Sequence, residues 1–144
     1  MDTDRIAIDA SFLLKLFLPE KGSDQAEELW KGWIRESVEI VAPTLIVFEV
    51  SSVLRNKVYR SILDEEEAAE TVRLLKELDL SLIYTGEILE IAWEIGSKLR
   101  TAALYDCFYL ALPAFLGIPL WTADKGLFQV AKKEYPFVNY LPIE

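Results

Sequence analysis

The segment 5–20, RIAIDASFLLKLFLPE, sets a pattern that the rest of the chain repeats. Its first part, RIAID, is a short apolar run that ends in an acid, which predicts a buried strand. The next part, SFLLKLFL, predicts a helix, and Pro19 closes it because proline cannot continue a helix. Asp9 stands at the junction. The segment therefore predicts a strand–helix unit with a carboxylate at the carboxyl end of the strand.

The remainder of the chain alternates helix and strand signals in the same way. Helices are predicted at 23–37, 43 to about 60, from 64, at 87–99, through YDCFYLAL at 105–112, and from 124. Strands are predicted at 39–42, 81–84, 118–122 and around 137–140. This alternation, without tight hairpin signals, predicts a mainly parallel sheet covered by helices on both faces. The fold class is therefore α/β, a three-layer α/β/α domain, and 144 residues that are 52% hydrophobic predict a single domain over residues 1–144.

The segment 101–123 is long and apolar enough to resemble a membrane span, and Asp106 is its single charge. Pro113, Gly117 and Pro119 interrupt it, however. An aspartate at the centre of a bilayer also costs about 2.5–3.5 kcal/mol. The segment is therefore predicted to form a buried helix, a turn and a buried strand.

The composition excludes several kinds of chemistry. The chain has no histidine, which removes Ser-His-Asp and Cys-His catalysis and His-ligated zinc together. A single cysteine, Cys107, and an N-terminus without a signal-peptide pattern predict a cytoplasmic protein. The net charge of −9 argues against broad non-specific nucleic-acid binding, although it allows a local basic strip. An enzyme built from this chain must use carboxylates, lysines, hydroxyls, a metal or another cofactor.

Four acidic residues occupy unusual places. Asp9 and Asp124 follow predicted strands, at the sheet edge where α/β proteins bind ligands, although each alone is best interpreted as a helix N-cap. Glu49 and Asp106 have apolar neighbours at helical spacing and are predicted to face the core. A charge there is costly unless it is paired or binds a metal. The alternatives are a position at the surface edge or a salt bridge, for Asp106 with Lys98 or Arg100.

Taken together, these acids predict a metal site made of oxygen ligands. Such a donor set suits Mg²⁺ or Mn²⁺, and one or two ions fit the prediction equally well. Without metal, mutual repulsion should raise the pKa values of the carboxyl groups. Asp9, Asp106 and Asp124 are assigned mainly to metal coordination, and Glu49 to coordination or to activation of an attacking water.

Four blocks of sequence carry a resemblance that extends over nearly the whole chain. They are IDASFLLKLFLPE (8–20), APTLIVFEVSSVL (42–54), LYDCFYLAL (104–112) and PLWTADKGL (119–127). In order and spacing they resemble the PIN domain family, specifically the VapC-type toxin ribonucleases of VapBC toxin–antitoxin systems.

The resemblance places Asp9, Glu49, Asp106 and Asp124 on the acidic quartet of the family, and Ser11 and Thr122 on hydroxyl positions beside it. It implies a metal-dependent endoribonuclease that forms a homodimer and is neutralised by a VapB-like antitoxin. Pro113 stands where alanine is expected, which leaves open where the helix through YDCFYLAL ends.

Two other functional classes also gather acids at strand ends. A phospho-accepting receiver domain would normally have an adjacent acidic pair after the first strand, whereas Asp9 is flanked by Ile8 and Ala10. A non-catalytic interaction protein could instead keep the acids to bind an arginine of a partner. Assays of phosphoryl transfer and of RNA cleavage would separate these hypotheses.

Overall fold

The structure, a computed structural model, describes residues 4–101 and 103–141. Within these ranges it contains five strands and seven helices. The strands are β1 (Arg5–Ile8), β2 (Glu39–Pro43), β3 (Ser81–Ile83), β4 (Leu120–Thr122) and β5 (Val138–Tyr140). The helices are α1 (Ala10–Phe17), α2 (Ser23–Arg35), α3 (Leu45–Tyr59), α4 (Glu65–Glu77), α5 (Gly86–Leu99), α6 (Tyr105–Leu116) and α7 (Lys125–Ala131).

The strands form one parallel sheet in the order β3-β2-β1-β4-β5. From β1 the chain moves outward through β2 to β3, and it later returns to the other side of β1 through β4 and β5. The boundary between β1 and β4 is therefore the switch point of the topology, where open α/β sheets bind ligands. Ile8 pairs in register with Trp121, so these two strands end side by side. The predicted parallel sheet is confirmed.

Helices cover both faces of the sheet. Because strand side chains alternate between faces, Ile6 and Ile8 of β1 join one hydrophobic cluster, and Ala7 joins the other. The first cluster includes buried residues of α1, α2, α3 and α4. The second includes buried residues of α5, α6 and α7. The predicted three-layer α/β/α architecture is confirmed.

The apolar segment 101–123 supplies α6 and β4, as the sequence predicted. Pro113 does not end α6, which continues to Leu116 and is capped by Gly117 in the left-handed conformation at φ 69°. Proline lacks the N–H that would donate to the carbonyl of Tyr109, so α6 has an interrupted hydrogen-bond ladder at this turn. None of the helices in the described ranges is long and apolar enough to span a membrane.

Several predicted boundaries are shifted: α2 ends at Arg35 and not at Ser37, β4 begins at Leu120 and not at Ile118, and the start of α3 also differs. The helix expected from Pro43 begins at Leu45, because Pro43 is the last residue of β2 and pairs in register with Ile83 of β3. Proline is tolerated at this strand end, where the ladder stops.

The N-cap of α5, the helix that packs against α6, can be tested by substitution. Thr85 Oγ1 accepts a hydrogen bond from the backbone N–H of Ile88 at 3.2 Å. Thr85→Ala should lower the free energy of unfolding by about 1 kcal/mol, measured by urea denaturation. Ser97→Ala, which removes an exposed hydroxyl bonded to the carbonyl of Trp93 within the same helix, should change it by less than about 0.5 kcal/mol. Equal losses in the two variants would contradict a capping role for Thr85.

Candidate functional site

Asp9 is a buried carboxylate held by three donors. It follows β1, caps α1 and is 4% exposed. Its Oδ1 accepts hydrogen bonds from the Ser11 hydroxyl at 2.7 Å and from the Phe12 N–H at 3.0 Å. Its Oδ2 accepts from the Thr122 hydroxyl at 2.5 Å. Donors from the turn of α1 and from the end of β4 therefore fix this side chain in one orientation.

The hydroxyls of Ser11 and Thr122 also form hydrogen bonds with the backbone of the loop after β4. The N–H of Ala123 donates to Ser11 Oγ at 2.9 Å, and the N–H of Asp124 donates to Thr122 Oγ1 at 3.0 Å. Each hydroxyl thus accepts from the backbone while it donates to Asp9. The structure brings Ser11 and Thr122 directly to Asp9, although their functional role stays a prediction.

Asp124 lies at the neighbouring strand end. It caps α7, with Oδ1 accepting from the N–H of Leu127 at 3.0 Å, and it is exposed. The capping interpretation is therefore true of both Asp9 and Asp124. Capping occupies one oxygen of Asp124 and leaves Oδ2 without a hydrogen bond among the described residues.

Glu49 and Asp106 come from two further elements. Glu49, in the second turn of α3, is half-buried between buried Ile46 and Val50. Asp106, the second residue of α6, is exposed, so the prediction that it faces the core is wrong. Its position at the first turn leaves the carboxylate beyond the core that the later turns of α6 enter. The surface-edge alternative describes Asp106 better.

No cation neutralises these acids within the described ranges. None of the lysines or arginines there forms an ion pair with Asp9, Glu49, Asp106 or Asp124. Lys98 Nζ, a possible partner under the salt-bridge alternative, instead lies 3.6 Å from Glu134 Oε2. The salt-bridge alternative therefore has no support in the described part of the chain.

The charges act on one another across the site. Burial raises the pKa of Asp9 to about 6, although its hydrogen bonds oppose the shift and the charge of Asp124 adds to it. Burial also raises the pKa of Glu49, followed by the charges of Asp106, Asp9 and Asp124. Desolvation and then the charge of Asp124 raise the pKa of Asp106. Four elements therefore place their carboxylates in one shared negative field.

The four carboxylates do not form a closed metal site in this structure. In residues 4–101 and 103–141, no three acidic, cysteine or histidine side chains converge closely enough to enclose an ion. The donor set itself consists of carboxylate oxygens, which is the chemistry that Mg²⁺ or Mn²⁺ requires. The residues fit a hard divalent ion by type, and binding would need their carboxylates to come closer together.

Sequence reasoning missed Tyr109. It is 2% exposed, and its hydroxyl has no hydrogen-bond partner of normal geometry among the described residues. Burial raises the pKa of Tyr109, and the charges of Glu49, Asp9 and Asp106 raise it further, which places the hydroxyl beside the acids. The available signal was its spacing three residues after Asp106, which puts both on one side of α6.

The raised pKa of Asp9 predicts an unusual pH dependence. Its folded pKa of about 6 exceeds the ordinary 3.8, so the folded state binds the proton more tightly than the unfolded state. Stabilisation is therefore full below about pH 4 and is lost as pH rises through about 6, a change on the order of 3 kcal/mol for a fully buried group. Urea denaturation of metal-free protein between pH 4 and 7 should show this loss.

Asp9→Asn should reduce the loss of stability between pH 4 and 7, because asparagine does not titrate. Asp24→Asn, which changes an exposed acid on α2, should keep the wild-type slope. Wild-type protein that gains stability from pH 4 to 7, in parallel with the Asp9→Asn variant, would contradict the proposed origin of the effect.

Comparison with known proteins identifies the family of this chain. The PIN domain family matches residues 6–133. Ribonuclease VapC3 of Pyrobaculum aerophilum is 30% identical over 125 residues, which cover 85% of this chain and 92% of that protein.

Two solved structures share the fold at 16% identity. VapC20 of Mycobacterium tuberculosis, described as a toxin that cleaves the sarcin-ricin loop, has a TM-score of 0.66 and covers 90% of this chain and 95% of its own. A toxin–antitoxin complex from Klebsiella pneumoniae has a TM-score of 0.62, with coverage of 93% and 95%. These matches confirm the resemblance drawn from the four sequence blocks: the chain belongs to the PIN domain family, and its relatives include VapC ribonucleases.

Proposed function

We propose that this protein is a VapC-type endoribonuclease that hydrolyses RNA phosphodiester bonds with Mg²⁺ or Mn²⁺ at Asp9, Glu49, Asp106 and Asp124. The observation that supports the proposal is the shared negative field near the switch point of the sheet, in which the charges of Asp106, Asp9 and Asp124 act on Glu49 and no lysine or arginine of the described residues pairs with them. Family membership and the ribonuclease names of the relatives support the activity.

The two strand-end acids suit the fixed part of a metal site. Asp9 is oriented by three hydrogen bonds, so its position is preorganised, and Oδ2 has accepted only one donor. Asp124 keeps Oδ2 free beside it. A divalent ion bound there would supply charge for the scissile phosphate and would lower the pKa of a bound water. Ser11 and Thr122 would keep Asp9 in place during turnover.

Glu49 suits proton transfer better than Asp9 does. Hydrolysis requires a proton to leave the attacking water as its oxygen bonds to phosphorus. Asp9 already accepts three hydrogen bonds, whereas Glu49 accepts none of normal geometry from the described residues. Its pKa is raised by burial and by neighbouring charge, which makes it a stronger base than an ordinary glutamate. We therefore assign Glu49 to water positioning and proton acceptance.

The other functional classes have weaker support. No observation favours a receiver domain, and membership of the PIN domain family argues against it. A non-catalytic PIN-like interaction protein would keep the same acids without cleaving RNA, and the assay below distinguishes it. The homodimer and the cytoplasmic localisation stay predictions, which analytical ultracentrifugation and cell fractionation measure.

Substitution of the acids should separate catalysis from folding. Glu49→Gln should reduce single-turnover RNA cleavage by about 10²–10⁴-fold, the usual contribution of a general base. Asn at Asp9, Asp106 or Asp124 should remove most cleavage, and EDTA should abolish it in the wild type. Ser11→Ala should have a smaller effect. Each variant should keep the wild-type far-UV circular dichroism spectrum.

Asp24→Asn is the matched control, because it removes an exposed charge on α2 at no predicted site. Its cleavage rate should equal that of the wild type. Cleavage that persists in EDTA, or at the wild-type rate in Asp106→Asn, would contradict the metal-dependent mechanism. A folded wild type that binds Mn²⁺ but never cleaves RNA would favour the interaction protein.

We also propose that a VapB-like antitoxin neutralises the protein. The Klebsiella pneumoniae neighbour is a toxin–antitoxin complex, which supports a partner of this kind. The uncompensated field at the acids favours a cation from the partner, and the planar, bidentate guanidinium of arginine suits carboxylates better than the ammonium of lysine. An arginine in the bound segment would then compete with the metal.

If an arginine of the partner enters the site, inhibition of RNA cleavage should depend on the charge of that arginine. The product of an adjacent open reading frame, co-purified with this chain, should inhibit RNA cleavage less as Mn²⁺ is increased. Changing the inserted arginine to alanine should weaken inhibition at least about tenfold, as expected when a desolvated charge pair loses one partner. Equal binding of the inhibitor to wild type and to Asp9→Asn/Asp106→Asn would refute insertion of an arginine, though not the partnership.

A further inference from the structure

Tyr109 differs from the other buried residues of α6 in the hydrophobic cluster to which its side chain belongs. Other buried residues of α6, including Cys107 and Leu110, belong to the cluster formed with α5 and α7. Tyr109 instead belongs to the cluster on the opposite face, together with Ile46 and Val50 of α3. These two residues lie on either side of Glu49 in the sequence. The tyrosine side chain therefore packs in the cluster that contains the residues flanking Glu49.

Its hydroxyl and the Glu49 carboxylate are complementary unsatisfied groups. The hydroxyl is buried and lacks a hydrogen bond of normal geometry, and Glu49 likewise has none among the described residues. Burial and the charges of Asp106 and Asp9 raise the pKa of Glu49, and the Tyr109 hydroxyl lowers it, so the two groups lie near each other. A buried hydroxyl without a partner is costly, so a small rotation that completes this bond is favourable.

The other two acids near the hydroxyl are poorer acceptors. Asp9 already accepts from Ser11, Phe12 and Thr122. Asp106 lies in the exposed first turn of α6, where water reaches its carboxylate more easily than that of half-buried Glu49. A phenol has one proton to donate, and Glu49 is the acceptor that gains most from it.

We propose that Tyr109 is a positioning residue: its hydroxyl donates a hydrogen bond to the Glu49 carboxylate and holds that carboxylate toward Asp9 in the working site. Tyr109 adds a neutral donor to a cluster of negative charges, as Ser11 and Thr122 do for Asp9. This role rests on the proposed function, because it acts through Glu49. The contact itself does not depend on that function.

The contact is tested by a double-mutant cycle on unfolding of the metal-free protein in urea. Tyr109→Phe removes the hydroxyl and keeps the buried ring, and Glu49→Met keeps the side-chain length and removes the acceptor. If the bond forms, the unfolding constant of the double variant should differ from the product of the single effects by about threefold or more. The control cycle uses Tyr59→Phe, whose ring is 85% exposed, with Glu49→Met and should be multiplicative. A multiplicative result for Tyr109 would overturn the proposal.

The positioning role is tested by Mn²⁺ titration and by RNA cleavage. Tyr109→Phe should weaken Mn²⁺ binding, followed by calorimetry, and lower kcat by about tenfold with KM unchanged, as for partners that orient ligands from outside the metal shell. Tyr59→Phe should change neither. A coupled cycle with unchanged Mn²⁺ affinity and kcat would overturn the role and leave only a structural bond. A wild type that neither binds Mn²⁺ nor cleaves RNA would refute the proposed function instead, and with it the positioning role.

Discussion

The hydrogen bonds between Asp9 and the end of β4 are the interaction on which the site depends. Thr122 reaches Asp9 only because β1 and β4 are adjacent and parallel, so their carboxyl ends lie side by side. Ser11 then ties the first turn of α1 to the backbone of Ala123. Strand order, the start of α1 and the loop that leads to Asp124 are thereby fixed through one buried carboxylate.

In this arrangement, the requirements of stability and of the proposed function conflict. Burying Asp9 raises its pKa because the charged form is desolvated, and the other acids add their repulsion. A chain selected only for stability would place an uncharged cap there, since asparagine or serine also caps helices well. The same charges, kept unpaired, are what a divalent ion or a guanidinium group needs. Local destabilisation is the expected consequence of keeping these carboxylates unpaired, as the proposed cation site requires.

Much of the fold followed from local patterns in the sequence. Short apolar runs that end in acids gave the strand ends, and Asp9 and Asp124 were correctly placed there because an N-cap is a local feature. Asp106 was misplaced because α6 is apolar on nearly all sides, so its periodicity does not indicate which residues face the core. Pro43 was assigned to the wrong element because proline is favourable both at a strand end and at a helix start.

The sequence led to the hypothesis that the four acids act together, whereas their arrangement in space could not be predicted from it. That Glu49 would lie in the field of Asp106, Asp9 and Asp124 depends on how α3 and α6 cross the sheet. The cluster that Tyr109 joins is likewise set by tertiary packing. The spacing of Tyr109 from Asp106 is a local signal, but it does not indicate that the hydroxyl lies near Glu49, which comes from another helix.

The most direct measurement is the anomalous diffraction of crystals grown with saturating Mn²⁺. We predict an anomalous peak at the ends of β1 and β4, within ligand distance of oxygens from Asp9 and from at least one of Glu49, Asp106 and Asp124. Bonds between Mn²⁺ and carboxylate oxygens should be about 2.0–2.3 Å, as for similar hard divalent ions. Absence of a peak in crystals that diffract well, or a peak bound only by other residues, would contradict the claim that these four carboxylates form a metal site.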